Sequence, residues 1–147
     1  MLKKALAVIS FIFITAVLSA QQAAPAKYAL VIGNSKYTKL TPLNNPVNDA
    51  NDVAGVLEEL GFYVDKVLNG SLEQMEDAVT NLKDNLSNAD NAYGFFFYAG
   101  HGVQSGGENY LIPVNANIPS ENSLRNRAMS VQMLLDDICA NRILYNM

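Results

Sequence analysis

Three short apolar segments alternate with two amphipathic segments between residues 28 and 98, and this alternation restricts the fold more than any other feature. The apolar segments cover residues 28–33, 62–68 and 92–98, and the first ends in Gly33. A nearly continuous apolar run is typical of a strand buried on both faces of a parallel sheet. The third segment is also too apolar for an exposed sheet edge. Strands joined by helices therefore predict an α/β fold with a parallel sheet covered by helices.

The two amphipathic segments carry the start and stop signals of helices. In the first, Gly61 is predicted to end a helix whose apolar positions recur at helical spacing, namely Val53, Val56, Leu57 and Leu60. In the second, Ser71 and Gln74 have the spacing of a capping box. One apolar stripe follows this start, formed by Leu72, Met75, Val79, Leu82 and Leu86.

Smaller elements are predicted after the third strand. Residues 110–113 are expected to form one arm of a hairpin with residues 103–104. Ser130 is predicted to cap a third amphipathic helix, with apolar positions at Val131, Leu134, Leu135 and Ile138. Residues 143–147 resemble the start of a further strand.

The first 20 residues differ in composition from the rest of the chain. Lys3 and Lys4 precede an apolar run over residues 5–18, and small and polar residues follow it. This layout predicts a secretory signal peptide over residues 1–20, a linker over 21–26 and the folded domain over 27–147. An uncleaved anchor is the alternative, but the run is shorter than the roughly 20 residues that span a bilayer. We expect export to the periplasm or the medium, without a stable membrane span after cleavage.

Composition argues against several classes of partner and cofactor. Ten basic and fourteen acidic residues give a net charge of −4 with no basic stripe, so no nucleic-acid partner is expected. One cysteine and one histidine cannot supply the four ligands of a structural zinc site, so no metal is expected. Gly33 is followed neither by a dinucleotide fingerprint nor by a phosphate-binding lysine motif, and no cofactor is expected.

His101 is the single histidine of the 147-residue sequence. It lies between Gly100 and Gly102, just after the predicted third strand. Ligands of open α/β sheets bind beyond the carboxyl ends of the strands. Flanking glycines let the backbone approach a substrate and leave N–H groups free to bind an oxyanion. A histidine that merely fills a turn is the alternative, and the tripeptide alone does not decide between the two.

The segments around His101 form an ordered set of motifs. Residues 93–104 read YGFFFYAGHGVQ, and they are accompanied by residues 28–37, 43–50, 60–62 and 109–114. In this order and spacing they resemble the bacterial caspase-like cysteine peptidases, relatives of caspases and metacaspases. The resemblance covers nearly all of residues 27–142. It implies a caspase-like three-layer sandwich, with a mostly parallel sheet between helices and incomplete at the C-terminus, and a polypeptide substrate.

The resemblance also implies roles for individual residues. His101 would be the general base that activates a cysteine thiol, and the Gly102 N–H would contribute to the oxyanion hole. Asp49 occupies the Asn-Asp-Ala position that the family associates with binding Arg or Lys before the scissile bond. No clear arginine follows Gly33, where a caspase that cleaves after aspartate would use one. Cleavage after Arg or Lys is therefore expected.

The nucleophilic cysteine of the family is not found at its expected place. Cys139 follows His101 by 38 residues, whereas a caspase-type cysteine follows by about 50. It lies at the edge of an apolar helix stripe, where a cysteine usually acts as a small hydrophobe. The nucleophile strand would begin at Ile143, so the chain is expected to stop short of the nucleophile and to be inactive.

Two other functions stay open. The domain could be a pseudoenzyme that keeps its groove and binds peptides or a partner protein. A serine hydrolase that uses His101 with Ser105 is disfavoured, because the sequence lacks the G-x-S-x-G turn that exposes a serine nucleophile. The oligomeric state is not indicated by any pattern in the sequence.

Overall fold

The computed structural model describes residues 24–139, apart from the side chains of residues 137 and 139. The predicted signal peptide, the first half of the predicted linker and the predicted strand at 143–147 lie outside these residues. Within residues 24–139, no helix is long and apolar enough to cross a membrane.

A parallel sheet forms the centre of the fold, as predicted. It contains β1 (Ala26–Gly33), β2 (Tyr63–Leu68) and β3 (Ala92–Ala99), in the order β2-β1-β3. Gly33 at the end of β1 is in register with Leu68 on one side and with Ala99 on the other. The carboxyl ends of all three strands therefore meet at one edge of the sheet, where the loops of a ligand site are expected.

Helices α1 (Pro46–Glu59) and α2 (Leu72–Ser87) cover opposite faces of this sheet. Successive strand residues point to opposite faces, and β1 follows this rule: Ala29 and Val31 pack in the cluster of α1, whereas Leu30 and Ile32 pack in the cluster of α2. The result is a three-layer α/β arrangement, which confirms the predicted fold class.

Both helices begin or end where the sequence signals predict. The backbone of Gly61 adopts a φ of +81° just after α1, a conformation that glycine tolerates best. At the start of α2, the Ser71 hydroxyl accepts the Gln74 N–H at 3.3 Å, and the Ser71 N–H donates to the Gln74 side chain at 2.9 Å. The capping box is confirmed.

A small antiparallel sheet follows the central one. The predicted hairpin is formed by β4 (Gly102–Ser105) and β5 (Glu108–Leu111), and β6 (Met129–Ser130) adds to β5. A 3-10 turn (Glu121–Ser123) and the short helix α3 (Leu124–Arg127) precede β6, and α4 (Val131–Cys139) follows it. The Ser130 hydroxyl accepts the Met133 N–H at 3.3 Å, as predicted for the cap of this third amphipathic helix.

Some details of burial differ from the sequence predictions. Val56 and Leu60, two apolar positions predicted for the first helix, are each 57% exposed. Tyr93 and Phe95 in β3 are 56% and 40% exposed, because β3 lies at an edge of the sheet formed by the described residues. In α4, Leu134 is buried but Leu135 is 47% exposed. Consecutive helical residues are rotated by about 100° from each other, so these two leucines cannot both face the core.

Candidate active site

His101 lies at the carboxyl edge of the central sheet, directly after β3 and Gly100. Gly100 is closely packed: a Cβ atom at this position would lie 2.5 Å from the Tyr98 hydroxyl and 2.6 Å from the Tyr37 hydroxyl. The glycine before the histidine is therefore required by the approach of two tyrosines to the backbone.

The backbone of His101 is held by hydrogen bonds from three directions. Its N–H donates to the Tyr37 hydroxyl at 2.7 Å. Its carbonyl oxygen accepts from the Tyr98 hydroxyl at 2.8 Å and from the Ile112 N–H at 3.0 Å. The two tyrosine hydroxyls lie 3.2 Å apart, and both also contact the Ile112 carbonyl. This network fixes the chain at the point from which the imidazole projects.

The imidazole ring is held by the loop that follows β1. Its Nε2 lies 2.8 Å from the Thr41 carbonyl oxygen, and its ring centroid lies 4.5 Å from that of Tyr37. A carbonyl oxygen only accepts hydrogen bonds, so Nε2 must carry the proton. In the neutral ring, Nδ1 is then the nitrogen with a free lone pair, which is the form that accepts a proton in general-base catalysis.

The Tyr98 hydroxyl is kept in its protonated form. Burial, followed by the hydrogen bond with Tyr37, raises the pKa of Tyr98 well above its usual range. A protonated phenol keeps its donor, so the hydrogen bond to the His101 carbonyl persists well above neutral pH.

Two asparagines anchor the loop that carries Tyr37 and Thr41. The buried Asn34 side chain accepts the Gly70 N–H at 2.9 Å and donates to the Ile112 carbonyl at 3.2 Å. The Asn69 side chain accepts two backbone N–H groups of the loop, those of residues 35 and 36, at 2.9 Å each. The loop is thus tied to the end of β2 and to the segment after β5.

A cavity of about 510 Å³ opens beside His101 and Gly102. Its apolar lining consists of Leu40, Val103, Ile112, Ile118 and Leu124. Polar groups also contribute, notably Ser105 and Glu121. The cavity combines apolar walls with a histidine and a carboxylate, which is the composition expected of a binding site.

The structure brings some of the predicted site residues together and leaves others apart. His101 and Gly102 line the same cavity, whereas Asp49 is exposed in the first turn of α1 and does not line it. Ser105 lines the cavity, but its hydroxyl donates to Glu121. Cys139 is the final residue of α4, and its side chain is outside the described part of the chain. No cluster that could hold a metal ion occurs within residues 24–139.

Comparison with known families identifies this arrangement. A model of the caspase domain matches residues 26–143, which include all the strands and helices described above. The chain belongs to the caspase-domain family. Its parallel sheet and covering helices agree with a caspase-like fold, and it is a caspase-like peptidase domain.

Two curated proteins are similar to this caspase domain. They are the human mucosa-associated lymphoid tissue lymphoma translocation protein 1 and its mouse homologue. Each is 31% identical over 133 residues, an alignment that covers 83% of this chain. The chain spans only 16% of the length of either relative.

Several residues that shape the site of this caspase domain belong to none of the predicted site positions. The sequence pattern marks Tyr37 and Tyr98 only as parts of a loop and a strand, although their hydroxyls fix His101. Thr41 contributes a backbone carbonyl, which any residue type could supply. Glu121 lies in a polar loop that gave no signal of its own. The aromatic residue at position 37, in a loop otherwise rich in turn formers, was the one available hint.

Proposed function

We propose that the domain is built for peptide-bond hydrolysis by a histidine–cysteine pair, with His101 as the proton carrier. The observation that carries this proposal is the hydrogen bond from Nε2 to the Thr41 carbonyl, which leaves Nδ1 free. In the proposed reaction, Nδ1 takes the proton of a cysteine thiol and the thiolate attacks the scissile carbonyl carbon. When the C–N bond breaks, the same proton passes to the departing amine. Water then hydrolyses the thioester with His101 again as the base.

Gly102 is proposed to stabilise the oxyanion that forms during this attack. It lines the cavity next to the imidazole and is exposed. A backbone N–H at such a position can donate to the developing negative charge without an intervening side chain. The role of Gly102 is supported by this location and by the family resemblance.

Cleavage after Arg or Lys is proposed from Asp49. Its carboxylate is exposed and the net charge of the chain is negative, which favours cationic peptides. Because Asp49 does not line the cavity beside His101, the basic residue before the scissile bond would bind at a separate place near the start of α1.

The 147-residue chain itself is proposed to be inactive. Its single cysteine, Cys139, is the last residue of an amphipathic helix and not part of a turn after a strand. A second function, binding of peptides without hydrolysis, is favoured by one observation: the cavity beside His101 combines apolar walls with the polar side chains of Ser105 and Glu121.

The experiment is a paired measurement on the full chain. Hydrolysis of Arg- and Lys-terminated amide substrates is assayed together with the binding of labelled basic peptides, for the parent chain and for Cys139→Ser. We expect binding without turnover in both proteins. Turnover that disappears in Cys139→Ser would assign the nucleophile to Cys139 and overturn the proposal of inactivity. Absence of both binding and turnover would overturn the proposed site.

Export of the chain is a further proposal, supported by Lys3, Lys4 and the apolar run over residues 5–18. Mass spectrometry of the protein recovered from a bacterial periplasm tests it. We expect a mature form that begins near residue 21, whereas an intact N-terminus in the cytoplasmic fraction would contradict the proposal.

A further inference from the structure

The cavity beside His101 has two chemically different parts. Its walls carry apolar side chains, of which Leu40 and Val103 are 40% and 39% exposed and so are accessible to a ligand. Its lining also includes the carboxylate of Glu121, which accepts a hydrogen bond from the Ser105 hydroxyl. We propose that this cavity is a second cation-binding subsite, which takes a lysine or arginine side chain of the substrate with Glu121 as the acidic partner.

The side chains of lysine and arginine match both parts of the cavity. Each has an apolar stem that packs along hydrophobic walls and a cationic head that stays at a polar surface. The walls formed by Val103, Ile112 and Leu124 suit the stem, and the Glu121 carboxylate suits the head. An uncharged side chain of the same length would satisfy only the walls, and an acidic one would be repelled.

The carboxylate of Glu121 is available for a ligand. It accepts one hydrogen bond from Ser105, and no lysine or arginine within residues 24–139 forms an ion pair with it. An ionised carboxylate offers about four lone-pair sites, so one hydrogen bond leaves most of them free. Glu121 also lines an adjoining cavity together with Arg125, but Arg125 does not line the cavity beside His101.

This subsite is separate from the position proposed for the residue before the scissile bond. Asp49 lies on the first turn of α1 and is not part of the cavity, whereas Glu121 and His101 line it together. Two acidic positions at different places predict a preference for peptides that contain a second basic residue near the first. The inference rests on the proposed function, because it assumes that a polypeptide lies across His101.

The test uses fluorescein-labelled octapeptides of glycine and serine with one central arginine. A lysine is placed in turn at each of the three positions on either side, and each lysine peptide is compared with a matched peptide that carries norleucine there. Dissociation constants are measured by fluorescence anisotropy with the 147-residue chain. The variants are Glu121→Gln and, as a matched control, Glu108→Gln, which changes a carboxylate of the adjoining cavity only.

We expect lysine at one position to bind about fivefold more tightly than norleucine, the upper range for an exposed ion pair. The preference should fall below about twofold in Glu121→Gln and stay unchanged in Glu108→Gln. A lysine preference that survives in Glu121→Gln, or no preference at any position, would overturn the second subsite and leave the proposed function standing. If no arginine peptide binds at all, both the subsite and the proposed function fail.

Discussion

The hydroxyl of Tyr37 is the single atom whose removal should disturb the site most selectively. Tyr37→Phe keeps the aromatic ring that packs 4.5 Å from the imidazole but removes the acceptor of the His101 N–H. The Ile112 carbonyl keeps the Asn34 side chain as a donor. The partly buried His101 N–H is therefore left without its acceptor.

The magnitude follows from that single unsatisfied group. Leaving a buried N–H without an acceptor costs about 1–3 kcal/mol, and Tyr37 is only 5% exposed, so water cannot easily replace its hydroxyl. We predict that Tyr37→Phe lowers the free energy of unfolding by about 2 kcal/mol, within the range for one lost hydrogen bond in a buried network. Tyr93→Phe is the matched control, because Tyr93 is 56% exposed, and its effect should stay within about 0.5 kcal/mol.

Urea unfolding gives the free energies, and NMR gives a readout specific for the site. The chain contains one histidine, so its imidazole signals need no assignment between residues. The imidazole resonances should shift in Tyr37→Phe and stay in place in Tyr93→Phe. Equal stabilities of the two variants, together with unchanged imidazole signals, would refute the proposed role of the Tyr37 hydroxyl.

Three further predictions follow from the same packing. Gly100→Ala should lose about 1–3 kcal/mol of unfolding free energy through overpacking. Gly55→Ala, at an open position of α1, should gain about 0.5–1 kcal/mol. Urea unfolding that ranks the two variants in the reverse order would contradict this packing. Nitrogen-15 spectra of neutral His101 should show the Nε2–H tautomer, and the Nδ1–H tautomer would refute the assigned base. Because the pKa of Tyr98 is raised in the folded state, folded Tyr98 holds its proton above pH about 10 while the unfolded chain loses it. The free energy of unfolding should therefore fall as the pH rises above about 10. The fall should be less steep in Tyr98→Phe than in Tyr93→Phe, and equal slopes in the two variants would contradict this prediction.

The elements of the fold that depend on local signals were predictable from the sequence. The capping box of Ser71 and Gln74, the glycine stop at Gly61 and the hairpin after His101 all formed as expected. Each depends on residues a few positions apart, where spacing alone determines which groups meet. Leu135 shows the limit of this approach, because an apolar stripe does not say which of two adjacent leucines faces the core.

The candidate site was only partly predictable, because its geometry depends on distant contacts. His101 stood out through its flanking glycines, but its partners Tyr37 and Thr41 lie 64 and 60 residues away in the sequence. A backbone carbonyl leaves no mark on residue type, and a tyrosine hydroxyl that binds a backbone looks like any other aromatic residue. Glu121 could be linked to His101 only after the loop that carries it had been placed beside β4.

The proposal that His101 drives peptide hydrolysis is tested most directly by the coding sequence beyond Met147. Genomic DNA is sequenced past this codon, and the longest in-frame product is expressed beside its His101→Ala variant. We predict hydrolysis of Arg or Lys amide substrates by the extended product, with kcat reduced at least about 10²-fold in His101→Ala. Hydrolysis that persists in His101→Ala, or a stop codon directly after Met147 with no cysteine-bearing segment downstream, would contradict a peptidase that depends on His101.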